Sequence, residues 1–211
     1  MVQFSADQSS AAGLLMPFTL GHLNPVDEPS AVRKAGYVTR TQLWLRPAGP
    51  GDERLLAALL AGLSPRSAFH RFMAGLGAPK PGLVRALLRS DEDRGAWLAV
   101  ERTPAGTDRA VGHACWSVDV HGIADIGIVV ADDAQGCGTG GALFDAAARS
   151  AAEAGATALH LDVHPENRRV VTILRRRLGG YALAWDQGLL TVDVPLVAAL
   201  RAPVRPSVAV A

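Results

Sequence analysis

Apolar positions recur with two different periods along the centre of this chain, and the alternation predicts mixed α and β structure. Thr41 to Leu45 (TQLWL) reads as a first strand, and Asp52 then makes an N-cap for a helix with Leu55, Leu56, Leu59, Leu60 and Leu63 on one stripe. Ser64 and Pro65 restart helix with cap and first-turn chemistry, and Phe69, Phe72, Met73 and Leu76 are expected on its buried side. Leu83, Val84, Leu87 and Leu88 predict a third short helix. Ala96 to Val100, Ala110 to Val118 and Ile123 to Val130 read as three successive strands, the pattern of an antiparallel meander. A further helix carries Leu143, Phe144, Ala147, Ala148 and Ala151 on one face, with Gly155 as its left-handed cap, and Ala158 to Val163 is a buried strand. Val170, Val171, Leu174 and Leu178 form the apolar stripe of one more helix.

The two ends lack either period. The first ~35 residues mix Ser, Pro, Gly and scattered charges, and the stretch after Leu196 is Ala, Val, Pro and Arg, so both are expected to be extensions of one domain. The expected division is 1–36 as N-terminal extension, 37–196 as the domain and 197–211 as tail. With 211 residues, 49% of them hydrophobic, one good core is what such a chain can bury.

Charge and cysteine content remove several function classes. Lys plus Arg (21) nearly balance Asp plus Glu (20), so no net field draws the chain to nucleic acid or to an anionic membrane. Any anion it binds must be held locally. Cys115 and Cys137 are the only cysteines, which argues against a disulfide framework and a structural zinc site; no metal is expected, and a reducing cytoplasm fits. The start MVQFSADQSS has no basic n-region, and Ala11 to Leu20 is roughly half the ~20 residues of a membrane span, so neither targeting nor anchoring is expected.

Chemistry concentrates between Ile123 and Gly180. The strand ending at Val130 is followed by the polar connection Ala131 to Ala134 and then by Gln135-Gly136-Cys137-Gly138-Thr139-Gly140-Gly141, which opens a helix. A helix entered through glycines presents unpaired N–H groups and about half a positive charge, a setting for a pyrophosphate. The glycines at 136, 138 and 141 also satisfy the dinucleotide fingerprint, GCGTG is a string expected of S-adenosylmethionine-binding methyltransferases, and Asp162 imitates the ribose-binding acid. Two details weigh against both. Ala131 to Gln135 is too polar for the last turn of a central buried strand, and only ~70 residues follow the loop where those folds need several more βα units.

The run from Ile128 to Gly180 resembles the acetyl-CoA-binding half of the GNAT acetyltransferase superfamily: strand, Q/R-x-x-G-x-G/A, helix, strand, and a helix headed by Asn. Gln135, Gly138 and Gly140 fill that motif. The resemblance extends from about Tyr37 to Leu196, because Arg46-Pro47, Asp52 and SPRSAFHRF from Ser64 to Phe72 look like the opening of such domains in bacterial protein lysine acetyltransferases. It implies an α/β (α+β) GNAT fold: a mixed, mostly antiparallel sheet of six to seven strands, about four helices, and a splayed V between strands 4 and 5.

The resemblance also implies roles. Backbone groups of Ile128 and Val130 would bond the pantetheine amides of CoA, the amides of Gln135, Gly136, Cys137, Gly138, Thr139, Gly140 and Gly141 would carry its pyrophosphate, and Asn167 would reach the pantetheine arm. Asp125 stands where related enzymes carry a glutamate base; one methylene shorter, it would act through a water. A backbone N–H near Val130 would stabilise the thioester oxyanion. Leu174 sits near the position where many members have a tyrosine acid, Tyr181 lies beyond a Gly-Gly break, and the thiolate would then leave into water.

Other polar residues have plainer readings. His113 is expected in the core, His121 in a turn and His164 on the rim where substrates of the family enter; Cys137 is a loop residue rather than a nucleophile. Arg168, Arg169, Arg175, Arg176 and Arg177 could meet the 3′-phosphate of CoA or form a solvated face. Two function classes follow: an acetyl-CoA-dependent N-acyltransferase acting on an amine, a protein lysine or a small molecule, and a non-catalytic acyl-CoA-binding module. Either a monomer or a homodimer is compatible. Acceptor choice is expected to lie with the first two helices, the loop from Pro79 to Gly82 and the turn at Asp186-Gln187-Gly188.

Overall fold

A computed structural model describes residues 43–178 and 181–201. Its sheet has seven strands: β1 (Leu43–Ala48), β2 (Arg94–Arg102), β3 (Asp108–Val118), β4 (Ile123–Val130), β5 (Ala158–Val163), β6 (Ala184–Asp186) and β7 (Leu189–Pro195). Their spatial order is β1-β2-β3-β4-β5-β7-β6. Every neighbouring pair is antiparallel except β4 with β5, which run parallel. A parallel pair needs a crossover, and α4 (Thr139–Glu153) supplies it. The mostly antiparallel sheet of six to seven strands expected from the sequence is therefore present.

The remaining described helices are α1 (Glu53–Ala61), α2 (Pro65–Phe72), α3 (Pro81–Leu87), α5 (Arg168–Arg177) and α6 (Leu196–Arg201). Leu143, Ala147, Ala148 and Ala151 of α4 are fully buried against the sheet. A β-carbon on Gly112 of β3 would lie 2.7 Å from Leu143 Cδ1, so a glycine there lets the helix approach the strand. Burying one leucine of this kind is worth roughly 1.5–3 kcal/mol. On the opposite face of β3, His113 meets the end of α3 through the Leu87 carbonyl.

Local chemistry sets several boundaries. Ser64 caps α2 by accepting from the Ser67 amide at 3.2 Å. Gly155, with φ +92°, donates to the Ala152 carbonyl and turns the chain out of α4. Asp52 does precede α1, but its carboxylate pairs with Arg46 and accepts from the Gly49 amide, fixing the β1–α1 corner instead of capping the helix. Gln187 and Gly188 both have positive φ, as the tight β6–β7 hairpin requires.

Three sequence expectations are corrected. The first strand runs to Ala48, and its expected start at Thr41 lies outside the described residues. The stretch expected to be tail from 197 begins as part of α6, with Leu196 and Ala199 buried and α6 packed on α4, β5 and β7; the expected N-terminal extension lies outside the described residues. Of the residues expected on the buried side of α2, Phe72 and, just beyond the helix, Leu76 pack partly buried against the core, while Phe69 and Met73 are 37% and 36% exposed and Ala68 is the buried residue. Helix α2 ends at once in a left-handed Met73, and it lies beside the part of β4 that has no β5 neighbour, so Phe69 and Met73 meet an open edge rather than a closed core.

Candidate functional site

The site begins with an interrupted pairing. β4 and β5 are registered only through Ile123↔Ala158, Ala124↔Leu159 and Asp125↔His160. Beyond these, Ile126 to Val130 stay paired with β3, and Leu161 to Val163 stay paired with β7. The two central strands thus part from Ile126 onward and leave a slot edged by the side of Ile128 and Val130 that has no partner strand.

The slot leads to the glycine loop. After a single turn of 3-10 helix at Asp132–Ala134, Gly136 (φ +96°) and Gly138 (φ +88°) carry the chain into the N-terminus of α4. Positive φ at both positions excludes most side chains without strain. The first helical amides, at Thr139, Gly140 and Gly141, have no acceptor one turn earlier and are free to face a ligand. Thr139 is 3% exposed with its methyl turned toward Gly112, so its side chain packs inward, whereas Cys137 is exposed. A β-carbon on Gly136 would lie 3.0 Å from Arg169 Nη2, which brings a guanidinium of α5 over the loop. Backbone amides and a cation converging on a side-chain-free hollow fit a diphosphate.

Two carboxylates brace this loop. Asp132 accepts from the Ser64 amide at 2.9 Å, the Ser64 hydroxyl at 2.9 Å and the Ser67 hydroxyl at 2.7 Å, tying the start of α2 to the end of β4. Asp133 receives both bonds of an Arg109 Nη2 fork at 2.8 Å. Gln135 donates from Nε2 to the Val130 carbonyl at 3.2 Å and to Ser67 Oγ at 3.3 Å. Asn167 caps α5, its Oδ1 accepting from the Val170 amide.

Asp125 lies at the last residue pair before the strands part, on the face of β4 that also carries Gly127 and Val129. Its side chain is exposed and has no hydrogen bond among the described residues. Partial burial pushes its pKa up; His160 opposes the shift, and Asp162, Asp119 and Asp193 add to it. His160 sits between two carboxylates, Nδ1 at 2.6 Å from Asp193 and Nε2 at 3.2 Å from Asp162. The bond to Asp193 is the chief cause of its raised pKa, with burial acting against it.

The same face carries groups that sequence reasoning missed. Arg71 reaches from α2 onto β4, where a β-carbon on Gly127 would collide with Nη2, Cζ and Nη1 at 2.3, 2.5 and 2.7 Å. Its Nη2 donates to Cys115 Sγ at 3.1 Å, and its Nε is buried without a partner. One signal existed in the sequence, since a lone glycine inside a β-prone run marks close approach by another group. His164 packs edge-on against Phe69 at 5.1 Å and stacks with His70 at 5.9 Å, so the end of β5 meets α2.

Other candidates are structural. His113 is fully buried, its Nε2–H directed to the Leu87 carbonyl and its Nδ1 unpartnered; burial, with Arg71 nearby, lowers its pKa to about 4. Leu174 is 7% exposed in the core and cannot donate a proton, and Tyr181 is 42% exposed. Arg177 pairs with Asp145 and lies 4.4 Å from the Phe144 ring centroid, so it is committed to the packing of α5 on α4. Among the described residues no cluster of three or more potential metal ligands occurs, and no helix is long and apolar enough to cross a membrane.

Comparisons with known proteins agree with this geometry. A family model described as "Acetyltransferase (GNAT) family" matches residues 67–179. None of the curated proteins matches the chain in sequence. Among solved structures, the GNAT domain of S. lividans PAT is similar at 21% identity and a TM-score of 0.63, over 72% of this chain and 90% of that one. The spermidine N-acetyltransferase from Vibrio cholerae, solved with CoA and spermine, is similar at 16% identity and 0.57, over 75% and 98%. A cAMP-binding acyltransferase from Mycobacterium smegmatis is similar at 22% identity and 0.50, over 87% of this chain and 50% of that one. At these identities the likeness is one of fold.

Proposed function

Since the chain belongs to the GNAT acetyltransferase family, we propose that it is an acetyl-CoA-dependent N-acyltransferase that acylates an amine. The observation that carries this reading is the end of β4–β5 pairing at Asp125↔His160, which opens a slot running from a carboxylate to the glycine-entered N-terminus of α4. The slot would take the pantetheine arm against the backbone of Ile128 and Val130, with Asn167 beside it. The amides from Gln135 to Gly141 would take the diphosphate, assisted by Arg169. CoA supplies an activated acyl thioester; the protein supplies position and charge.

In the reaction the amine nitrogen bonds to the thioester carbon, the carbon–sulfur bond breaks, and the sulfur leaves with the electron pair as thiolate. A lysine-type amine has a pKa near ~10.4, so its proton must be removed, and Asp125 would receive it through one water. A backbone N–H near Val130 would stabilise the oxyanion. With Leu174 in the position of a donor, the thiolate would leave into water, tolerable for a thiol of pKa near ~8.5. No enzyme-bound acyl group is required. The resemblance to bacterial protein lysine acetyltransferases puts a protein lysine first among acceptors, and the reading places the reaction in the cytoplasm.

A second reading, an acyl-CoA-binding module without efficient turnover, is favoured by one observation, the buried Leu174. Calorimetry with CoA, followed by turnover of acetyl-CoA against lysine peptides and small amines, separates the two. The enzyme reading expects binding and turnover, with kcat falling ~10²–10⁴ in Asp125→Ala. Binding without turnover supports the module. A well-folded protein that does not bind CoA removes both.

A further inference from the structure

Among the described residues, Arg71 is a half-buried cation with no carboxylate in ion-pair contact and no anion facing it; its guanidinium carbon lies 5.1 Å from the Phe72 ring centroid. Its Nε is buried and makes no hydrogen bond, its Nη2 has only the weak sulfur acceptor of Cys115, and Nη1 has no hydrogen bond among the described residues. Leaving such a group unpaired is unfavourable, and a structural role would be served as well by an apolar side chain of similar volume. Yet its guanidinium rests directly on β4, in the space that a β-carbon at Gly127 would occupy. A site adapted to hold an unpaired cation is adapted to receive an anion.

Position says which anion. Gly127 and Asp125 are two residues apart on one strand, hence on the same face and roughly 6.6 Å apart along it. Helix α2 holds Arg71 where the side chain of residue 127 would be, beyond the last β4–β5 pair, where the slot opens. Toward β5 and β7 the same face is negative: Asp125 neighbours His160 in register, and His160 is held by Asp162 and Asp193. The face therefore has a negative pole at Asp125 and a positive pole two residues along β4, too far apart to form an ion pair with each other and complementary to a zwitterion laid between them.

We propose that Arg71 binds a carboxylate of the acceptor, so that the acceptor is a small amino carboxylate with its amine toward Asp125 and its carboxylate on the guanidinium. This rests on the acyltransferase reading and replaces protein lysine as its acceptor. Arg71 lies against the strand backbone two residues from Asp125; an amine delivered to Asp125 would bring a carboxylate of its own molecule to that level, whereas an acidic residue flanking a target lysine would stand about a side chain's length farther out. The anion must belong to the same small molecule as the amine. Arg71 is in this role a specificity-determining residue, and the proton path and bond changes stay as given above.

The test uses the full chain and acetyl-CoA, with glycine, β-alanine and γ-aminobutyrate as acceptors, their carboxamides as uncharged counterparts, and a lysine peptide. Loss of a charge-assisted hydrogen bond predicts kcat/KM about 10- to 100-fold higher for the best carboxylate than for its carboxamide. Arg71→Gln should erase that difference by raising KM for the carboxylate with kcat little changed and the carboxamide unaffected, and Arg71→Lys should restore part of it. Equal rates for carboxylate and carboxamide in the unmutated protein, a lysine peptide as the best acceptor, or equal losses for both acceptors in Arg71→Gln would each overturn the proposal. The unmutated comparison decides even if Arg71→Gln fails to fold. Should no amine be acylated, the acyltransferase reading fails separately. Calorimetric titration of the amino carboxylates into the CoA-bound protein and Arg71→Lys then reads the Arg71 assignment alone, which falls if neither binds any of them.

Discussion

Ser67 donates its hydroxyl to Oδ1 of Asp132 at 2.7 Å across 65 residues of chain, and this bond holds the helix that carries Arg71 against the loop that ends β4. Because Asp132 accepts two further bonds from Ser64, it anchors the whole first turn of α2. Asp132→Ala is expected to lower stability by about 1–2 kcal/mol, in keeping with partly exposed hydrogen bonds. Amide exchange over residues 65–72 should accelerate more than elsewhere. Uniform acceleration across the sheet, or none in α2, would show that the helix is held by packing instead.

Asp125 gives a pH signature of both activity and stability. Partial burial holds its carboxyl above the ordinary range, so the base form is lost at a higher pH than for a free aspartate. The acidic limb of kcat/KM is expected to lie above ~3.9 and to disappear in Asp125→Asn along with most of the rate. The folded pKa exceeds the unfolded value, so the native state binds more protons and stability is lost as pH rises through that interval. Asp125→Asn should accordingly be slightly more stable than the unmutated protein at neutral pH. A variant that is less stable there would assign the carboxylate a structural role.

His113 predicts the opposite slope. It stays neutral in the folded protein down to about 4, chiefly through burial, while in the unfolded chain it takes a proton near ~6.5. Its contribution is fully present above the unfolded value and is lost as pH falls from there toward 4, a change of up to ~3 kcal/mol. Urea denaturation across this interval should show the decline, and His113→Leu should flatten it. An unchanged slope in that variant would move the effect to other groups.

Arg177 and its neighbours separate packing from ligand binding. Its side chain is 7% exposed, paired with Asp145 and stacked on Phe144. Arg177→Ala is expected to cost about 1–3 kcal/mol by leaving the partly buried Asp145 unpaired. Arg175→Ala and Arg176→Ala, at exposed positions, should stay within ~0.5 kcal/mol. Arg169→Ala should leave stability nearly unchanged and weaken CoA binding about tenfold. Weaker CoA binding in Arg177→Ala at unchanged melting temperature would return that residue to the phosphate site.

What the sequence determined was whatever a residue's near neighbours decide. β4, β5 and the glycine-entered α4 could be located because strand alternation, helical spacing and glycines at 136 and 138 act within a few residues, and the parting of β4 from β5 came only through a family likeness. The tertiary structure alone decided the exposure of Phe69, the folding of residues after 196 against α4, and the meeting of Arg71, Gly127, Cys115 and Asp125 on one face. Those residues are 44 to 56 positions from Arg71 along the chain, and no local period links a helix side chain to the strand glycine that makes room for it. Which cation lies beside which carboxylate depends on how sheet and helices close over one another.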